Sequence, residues 1–163
     1  MMNINQIKSL EKHIYNAIGK KSAIKRVAFL HCVTSYPVED KYANLNSIKF
    51  MKKKINLTVG YSDHTLGIQA SLAAVVLGAN IIEKHFTLDK NFSHFRDHYL
   101  SSDFKEFKTI VDSIRRLEMQ LGKKNKEIQK PEKKLIKIVR RGIYAKKDIQ
   151  SKEKLSFFLK KKK

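Results

Sequence analysis

The 163 residues include 42% hydrophobic side chains, which is ordinary for one folded domain and excludes a chain that is disordered by composition. No apolar run approaches the roughly 20 residues of a membrane-spanning helix, and the N-terminus lacks the apolar segment of a signal peptide, so we expect a cytoplasmic protein. The net charge of +20 would suggest a nucleic-acid partner, but most of the excess lies after residue 122, where 17 Lys and Arg accompany 4 Asp and Glu.

The N-terminal region predicts a helix followed by a strand. Isoleucine and leucine recur at helical spacing from Ile4 to Ile18, and Gly19 follows as a helix stop. The continuous apolar run from Val27 to Val33 is typical of a buried strand. Its single cysteine, Cys32, is therefore expected to be a core residue.

Further helices and strands alternate along the next part of the chain. A helical stretch near Leu45 to Met51 precedes a second strand, roughly Asn56 to Tyr61. A small apolar helix, Gly67 to Gly78, then leads to a third strand, Asn80 to Thr87. Apolar residues at helical spacing between Phe104 and Leu121 predict an amphipathic helix.

Successive predicted strands are separated by about 25 residues with helices between them, which is typical of βα units in a parallel sheet. We therefore predict an α/β fold over residues 1–122, with ligands bound by the loops that follow the strands. Residues 123–137 are expected to form a basic linker. A separate small module is expected over 138–163, in which Lys160 to Lys163 form a solvated, mobile tail.

Two histidines come at the ends of consecutive predicted strands. His64 follows the second strand and His85 lies in the third. Because neighbouring strands are about 4.8 Å apart, both imidazoles would face a shared space, which makes half of a metal site. Imidazole suits several transition metals, and oxygen ligands from substrate and water would favour a harder ion such as Mn or Mg. The alternative is that each histidine is a hydrogen-bonded structural residue.

Polar residues beside these histidines also have two interpretations. Asp63, Glu83 and Lys84 could orient the imidazoles, or they could form a buried ion pair between neighbouring strands. Ser62 could donate a hydrogen bond to a phosphate or carboxylate, or it could be a turn hydroxyl.

Three ordered strings carry a family resemblance: HCVTSYP at His31 to Pro37, VGYSDHTLG at Val59 to Gly67, and EKHFTLDK at Glu83 to Lys90. Together they resemble the N-acetylneuraminate (sialic acid) synthase family. The resemblance implies a TIM (βα)8 barrel followed by an antifreeze-like (SAF) domain, and a subunit that forms homodimers. It also implies condensation of phosphoenolpyruvate with an N-acylated mannosamine-type sugar, with release of phosphate and help from a divalent metal, Mn²⁺ foremost and Mg²⁺ or Co²⁺ as alternatives.

The same resemblance assigns roles to individual residues. It implies that His64 and His85 are catalytic metal ligands and that Ser62 contacts phosphoenolpyruvate. The substrate-binding residues that it implies, mainly on the sugar side, are Thr34, Tyr36 and Asp97. Thr34 stands where the family often has Asn or Ser, and a threonine still donates one hydrogen bond.

The chain also departs from the family pattern. The loop after the third strand, NFSHFRDHYLS, lacks the family's usual glycine and proline, so the motifs do not rank sialic, legionaminic and pseudaminic acid as products. The resemblance places this chain at the last three strands of a barrel that takes about 250 residues. The N-terminal strands, with the family's phosphate-binding lysines, would lie outside it, and the SAF domain would be cut short without an identifiable active-site arginine.

Three hypotheses follow. In the first, the chain is the C-terminal part of a synthase and is inactive alone, because it needs a missing N-terminal half. It would then be the product of a split gene, or its sequence would start at an internal methionine of a longer protein. Alternatively, it is a basic protein that binds RNA or another polyanion through its tail, although its aromatic residues are not interleaved with the lysines as such binding favours. Third, it is a non-catalytic remnant that takes up no metal.

Overall fold

The computed structural model describes residues 1–93, 97–145, 148–152 and 159–162. The chain divides into two compact units, Met1–Gly122 and Lys123–Lys163. The elements of the first unit are, in chain order, α1 (Ile4–Ile18), α2 (Lys20–Arg26), β1 (Ala28–Cys32), a 3₁₀ turn (Asp40–Tyr42), α3 (Asn46–Lys54), β2 (Thr58–Asp63), α4 (Gln69–Val76), β3 (Ile82–Lys84) and α5 (Phe104–Leu121). Among the described residues, no helix combines the length and the apolar character that crossing a bilayer requires.

The three strands of the first unit form one parallel sheet in the order β1-β2-β3. Helices α3 and α4 connect successive strands, since parallel neighbours need a crossover connection. The predicted α/β fold with consecutive parallel βα units is therefore confirmed. Because the strands run parallel, their carboxyl ends meet at one edge of the sheet, where the loops after β1, β2 and β3 lie together.

The hydrophobic core lies between the sheet and the helices that cover it. Its buried residues are Ile48, Met51, Ile55, Val59, Tyr61, Ala74 and Ala79. Alanine-rich α4 can approach β2 closely because its side chains are small, and Ile4 and Ile7 of α1 pack against the margin of the same cluster. The core thus supports β2 from one face and leaves its carboxyl end free for polar residues.

Gly60 in the middle of β2 allows the neighbouring backbone to come close. A Cβ atom at this position would lie 2.6 Å from the carbonyl oxygen of Ile81 and would also collide with the side chain of Leu30. Glycine is thus required here by close approach and not by an unusual backbone angle.

Strand β1 is less buried than predicted. None of its five residues is fully buried, Leu30 is 38% exposed, and Cys32 is exposed. The continuous apolar run predicts a buried strand, but β1 lies at an edge, since among the described residues it pairs with β2 alone. The prediction that Cys32 is a core residue is therefore wrong.

Three further elements differ from the sequence prediction. Helix α2 begins directly after Gly19, where the sequence predicts only the end of α1. In the second unit, helix α6 (Lys130–Val139) occupies much of the segment predicted as a linker, and its start has Pro in the first turn and a capping box between Gln129 and Glu132. Strand β4 (Gly142–Ala145) pairs antiparallel with β5 (Leu159–Lys162), which includes the first three lysines of the predicted tail.

Candidate active site

The pairing of β2 with β3 separates polar side chains onto two faces of the sheet. Ser62 is the register partner of Glu83, and Asp63 is the partner of Lys84. Successive side chains of a strand point to opposite faces. Ser62 Oγ accordingly donates to Glu83 Oε2 at 2.5 Å on one face, while Asp63 points towards α4 on the other and accepts from Ser71 Oγ at 2.6 Å.

Aromatic rings from three consecutive loops meet at the carboxyl edge of the sheet. The rings of His64 and His85 lie edge to face with centroids 5.1 Å apart. Tyr36, from the loop after β1, places its ring 4.3 Å from that of His64 and 5.7 Å from that of His85. The peptide bond between Tyr36 and Pro37 is cis. The structure therefore brings together three of the residues that the sequence singled out.

His64 is held by its own surroundings in one orientation. The side chain is buried, and Nδ1 lies 3.0 Å from the carbonyl oxygen of Val33, which can only accept a hydrogen bond. In the neutral imidazole this contact places the proton on Nδ1 and leaves the Nε2 lone pair for a metal ion. Ser62 Oγ lies 3.5 Å from Nε2, and Cys32 Sγ lies 3.9 Å from Nδ1.

His85 has a different partner. Its Nδ1 lies 3.4 Å from Asp97 Oδ2, and both side chains are partly exposed. The main chain at His85 is fixed, because its carbonyl oxygen accepts from the amide of Ser102 at 2.8 Å. Asp97 comes from the loop after β3, of which residues 94–96 lie outside the described residues. A carboxylate beside one imidazole nitrogen leaves the other nitrogen for a ligand.

A buried ion pair lies on the opposite face from the histidines. Lys84 Nζ is 3.2 Å from Asp63 Oδ2, with side-chain exposures of 2% and 0%. Asp63 Oδ1 also accepts from the amide and hydroxyl of Thr65, and Lys84 Nζ donates to the Thr65 carbonyl oxygen at 2.7 Å. Of the two interpretations considered for Lys84, the structure thus favours the ion pair between strands, whereas Glu83 lies on the histidine side and accepts from Ser62.

Thr34 lies apart from this cluster. It is exposed, and among the described residues no hydrogen bond or ion pair joins it to a histidine. It lines a cavity of about 680 Å³ whose wall also includes Cys32 and Phe29. Three of the four predicted substrate-binding residues lie beside a histidine: Asp97, Tyr36 and Ser62. Thr34 is the fourth and does not.

Two groups at the site were not found by sequence reasoning. The carbonyl of Val33 sets the proton position on His64, and a backbone group leaves no mark in a sequence. Ser71 on α4 donates a hydrogen bond to Asp63. The feature of the sequence that could have indicated this contact is a single hydroxyl in the otherwise apolar run of that helix. A buried serine facing a sheet is often a hydrogen-bond donor of this kind.

The donors at this edge of the sheet fit a divalent ion in part. The ring centroids of His64 and His85 are 5.1 Å apart, so both imidazoles are near enough to bind one ion. Within the described ranges, no group of three or more His, Cys, Asp or Glu side chains is arranged to hold a metal. The two imidazoles would therefore leave most coordination positions to oxygen ligands from elsewhere.

Comparisons with known proteins identify the family of this chain. The NeuB family model matches residues 1–126. The chain is 43% identical over 154 residues to N,N'-diacetyllegionaminic acid synthase of Campylobacter jejuni, covering 94% of this chain and 45% of that enzyme. It is 41% identical over 141 residues to the pseudaminic acid synthase of the same species, covering 85% of this chain and 40% of that enzyme.

A solved structure shares the fold. The N-acetylneuraminic acid synthetase of Leptospira borgpetersenii, crystallised with citrate, superposes with a TM-score of 0.64 at 38% identity, over 77% of this chain and 43% of that chain. The chain thus spans less than half the length of these relatives. With the family model over most of its residues and the motif histidines facing each other at the carboxyl edge of the sheet, the chain belongs to the NeuB family.

Proposed function

We propose that this chain supplies the metal-binding and part of the sugar-binding side of a nonulosonic acid synthase active site. The observation that carries the proposal is the facing pair His64 and His85, with Tyr36 against both rings, in a chain whose relatives are named as legionaminic and pseudaminic acid synthases. The substrates would be phosphoenolpyruvate and an N-acylated mannosamine-type sugar, and the product a sialic, legionaminic or pseudaminic acid.

In the proposed reaction, the methylene carbon of phosphoenolpyruvate attacks the aldehyde carbon of the sugar; the new carbon–carbon bond forms as the aldehyde C=O π bond opens, and the aldehyde oxygen takes up a proton. Water then adds to the phosphate-bearing carbon and loses a proton, and the bond from that carbon to the phosphate oxygen breaks, which releases phosphate and leaves a 2-keto acid. A divalent ion, Mn²⁺ in first place, would polarise the aldehyde oxygen as a Lewis acid. His64 would hold the ion through Nε2, since its Nδ1 is committed to Val33.

The remaining residues would bind and orient the substrates. The Ser62 hydroxyl, which donates to Glu83, would turn its proton towards a phosphoenolpyruvate oxygen when that anion binds. The ring of Tyr36 lies beside both imidazoles and the residue is 47% exposed, so its exposed part would contact the sugar. Asp97 would accept hydrogen bonds from sugar hydroxyls. The phosphate-binding lysines that the resemblance implies would come from outside these residues, so we expect no turnover by this chain alone.

Metal binding tests the proposal directly. We expect the purified chain to bind one equivalent of Mn²⁺ in a calorimetric titration, and to bind it more tightly when phosphoenolpyruvate is present. The His64→Ala, His85→Ala double variant should show no binding. The control is His13→Ala, because His13 lies on α1 with Nδ1 against the carbonyl oxygen of Ser9 and outside the cluster.

Two results would contradict the proposal. One is a folded wild-type chain that takes up no Mn²⁺, which would favour a non-catalytic remnant. The other is Mn²⁺ uptake that the double variant retains, which would place the ion elsewhere in the chain.

A further inference from the structure

Few groups of β3 specify its register with β2: backbone hydrogen bonds join the strands just before β3, from Tyr61 to Ile81 and from Asn80 to Val59, and within β3 only Ile82 packs against the hydrophobic core. β3 has three residues, and their burial runs from half-buried Ile82 through exposed Glu83 to buried Lys84. Such a short strand without a clear apolar face has little to favour one register over the next. A slip of one residue would turn every side chain of β3 to the other face and carry His85 away from His64.

The buried ion pair lies where it can prevent that slip. Asp63 and Lys84 are register partners, and each immediately precedes one of the two histidines. Lys84 Nζ also donates to the carbonyl oxygen of Thr65, so this ammonium bonds the residues on both sides of His64. In a slipped register the ammonium would be pulled away from these partners, and a charge buried without a partner is strongly disfavoured.

The ion pair is poorly explained as a stabilising contact. Removing two charges from water costs free energy that their attraction often fails to recover, and apolar replacements of such pairs are often neutral or stabilising. The best-attested use of a buried ionic group is to fix register. Asp63 is also anchored from outside the strands by Ser71 on α4, which ties the chosen register to the helix layer.

We propose that Asp63 and Lys84 are positioning residues that fix the β2–β3 register and thereby hold His64 and His85 face to face. Neither residue contacts the proposed metal, because both point to the helix side of the sheet. The role of the pair in metal binding rests on the proposed function. Its role in register does not, and the two can be measured separately.

The test is the double variant Asp63→Asn, Lys84→Met, which removes both charges and keeps similar side-chain volumes. We expect its Tm to be unchanged or raised, its Mn²⁺ affinity to fall about 10-fold or more, and its cross-strand amide NOEs between β2 and β3 to split or weaken in metal-free NMR spectra. A merely structural pair would instead lower Tm and Mn²⁺ affinity together. The matched control is Asp112→Asn, Lys108→Met, which removes an exposed ion pair of the same residue types from α5 and should change neither affinity nor NOEs.

The proposal is overturned if the double variant keeps one set of β2–β3 NOEs, or if its Tm and Mn²⁺ affinity fall together. Should that variant not fold, Lys84→Gln is measured with the same readouts, since it leaves Asp63 with its donors from Thr65 and Ser71. If the wild-type chain binds no Mn²⁺, the proposed function fails, and the metal-free NOEs still decide the register.

Discussion

At the level of single residues, the two histidines differ in what holds them. His64 is buried and hydrogen-bonded to a backbone carbonyl, so its orientation follows from the fold of β1 and β2. His85 is partly exposed and lies beside a carboxylate on a loop. A ligand that draws Asp97 away would therefore change the surroundings of His85 and leave those of His64 as they are.

Tyr61 gives a prediction at the same scale. Burial, together with the nearby Asp63 carboxylate, raises the pKa of the Tyr61 phenol well above its ordinary value of 10.0. Above about pH 10 the unfolded chain then releases a proton that the folded chain keeps, so this group's contribution to stability is complete below that pH and is lost as pH rises further. We expect the wild-type chain to lose stability between about pH 9 and pH 11 more steeply than Tyr61→Phe, by up to about 1.4 kcal/mol per pH unit.

Urea unfolding of both proteins across that pH range measures the difference. Parallel loss of stability in the two proteins would show that Tyr61 ionises as readily in the folded chain as in the unfolded one.

At the level of elements, the close approach of strands at Gly60 leads to a second prediction. Gly60→Ala would place a methyl group against the Ile81 carbonyl, which belongs to the backbone and has little room to move. We expect a loss of about 1–3 kcal/mol in the free energy of unfolding, typical of overpacking in a core. Chemical denaturation measures it, and a loss below about 0.5 kcal/mol would show that β2 and its neighbours separate easily.

The elements differed in how well their sequence predicted them. Helices α1 and α5 were clear because their apolar spacing is regular and their ends carry caps, Asn3 before α1 and Asp103 before α5. Helix α2 was missed because KKSAIKR has too few apolar residues to show a period; one buried residue, Ala23, anchors it. Strand β1 is more exposed than its apolar composition predicts, because composition does not show whether a strand has one neighbour or two.

The candidate site was predictable only where residue type carries the chemistry. The positions of His64 and His85 after consecutive strands indicated a shared space, and the rings are indeed neighbours. Whether Lys84 orients a histidine or forms an ion pair with Asp63 depends on the register between β2 and β3. The sequence of a three-residue strand does not reveal that register. The assignment of a metal, of its identity and of the substrate contacts remains a prediction.

At the level of the whole molecule, the junction between the two units should be the first point of proteolysis. Residues 122–129 are exposed and belong to no helix or strand, and they include Lys123, Lys124 and Lys126. Proteases cut exposed irregular segments first. We expect brief trypsin treatment to release a fragment that begins at Met1 and ends at one of these lysines, as identified by mass spectrometry.

The corresponding control replaces the three lysines by glutamine, which should slow the first cut. A first cut inside α1 or α3, both of which also carry lysines, would show that the first unit opens more readily than the junction.

The edge position of β1 affects how the chain behaves at high concentration. Along Ala28–Cys32, among the described residues, one side of the strand has β2 and the other has no strand, so backbone donors and acceptors face outward. Proteins usually guard such edges with charged side chains, prolines or bulges, and AFLHC contains neither a lysine nor a proline. Concentrated solutions therefore favour intermolecular strand pairing and aggregation, which makes dilute conditions the sound choice for any binding assay on this chain.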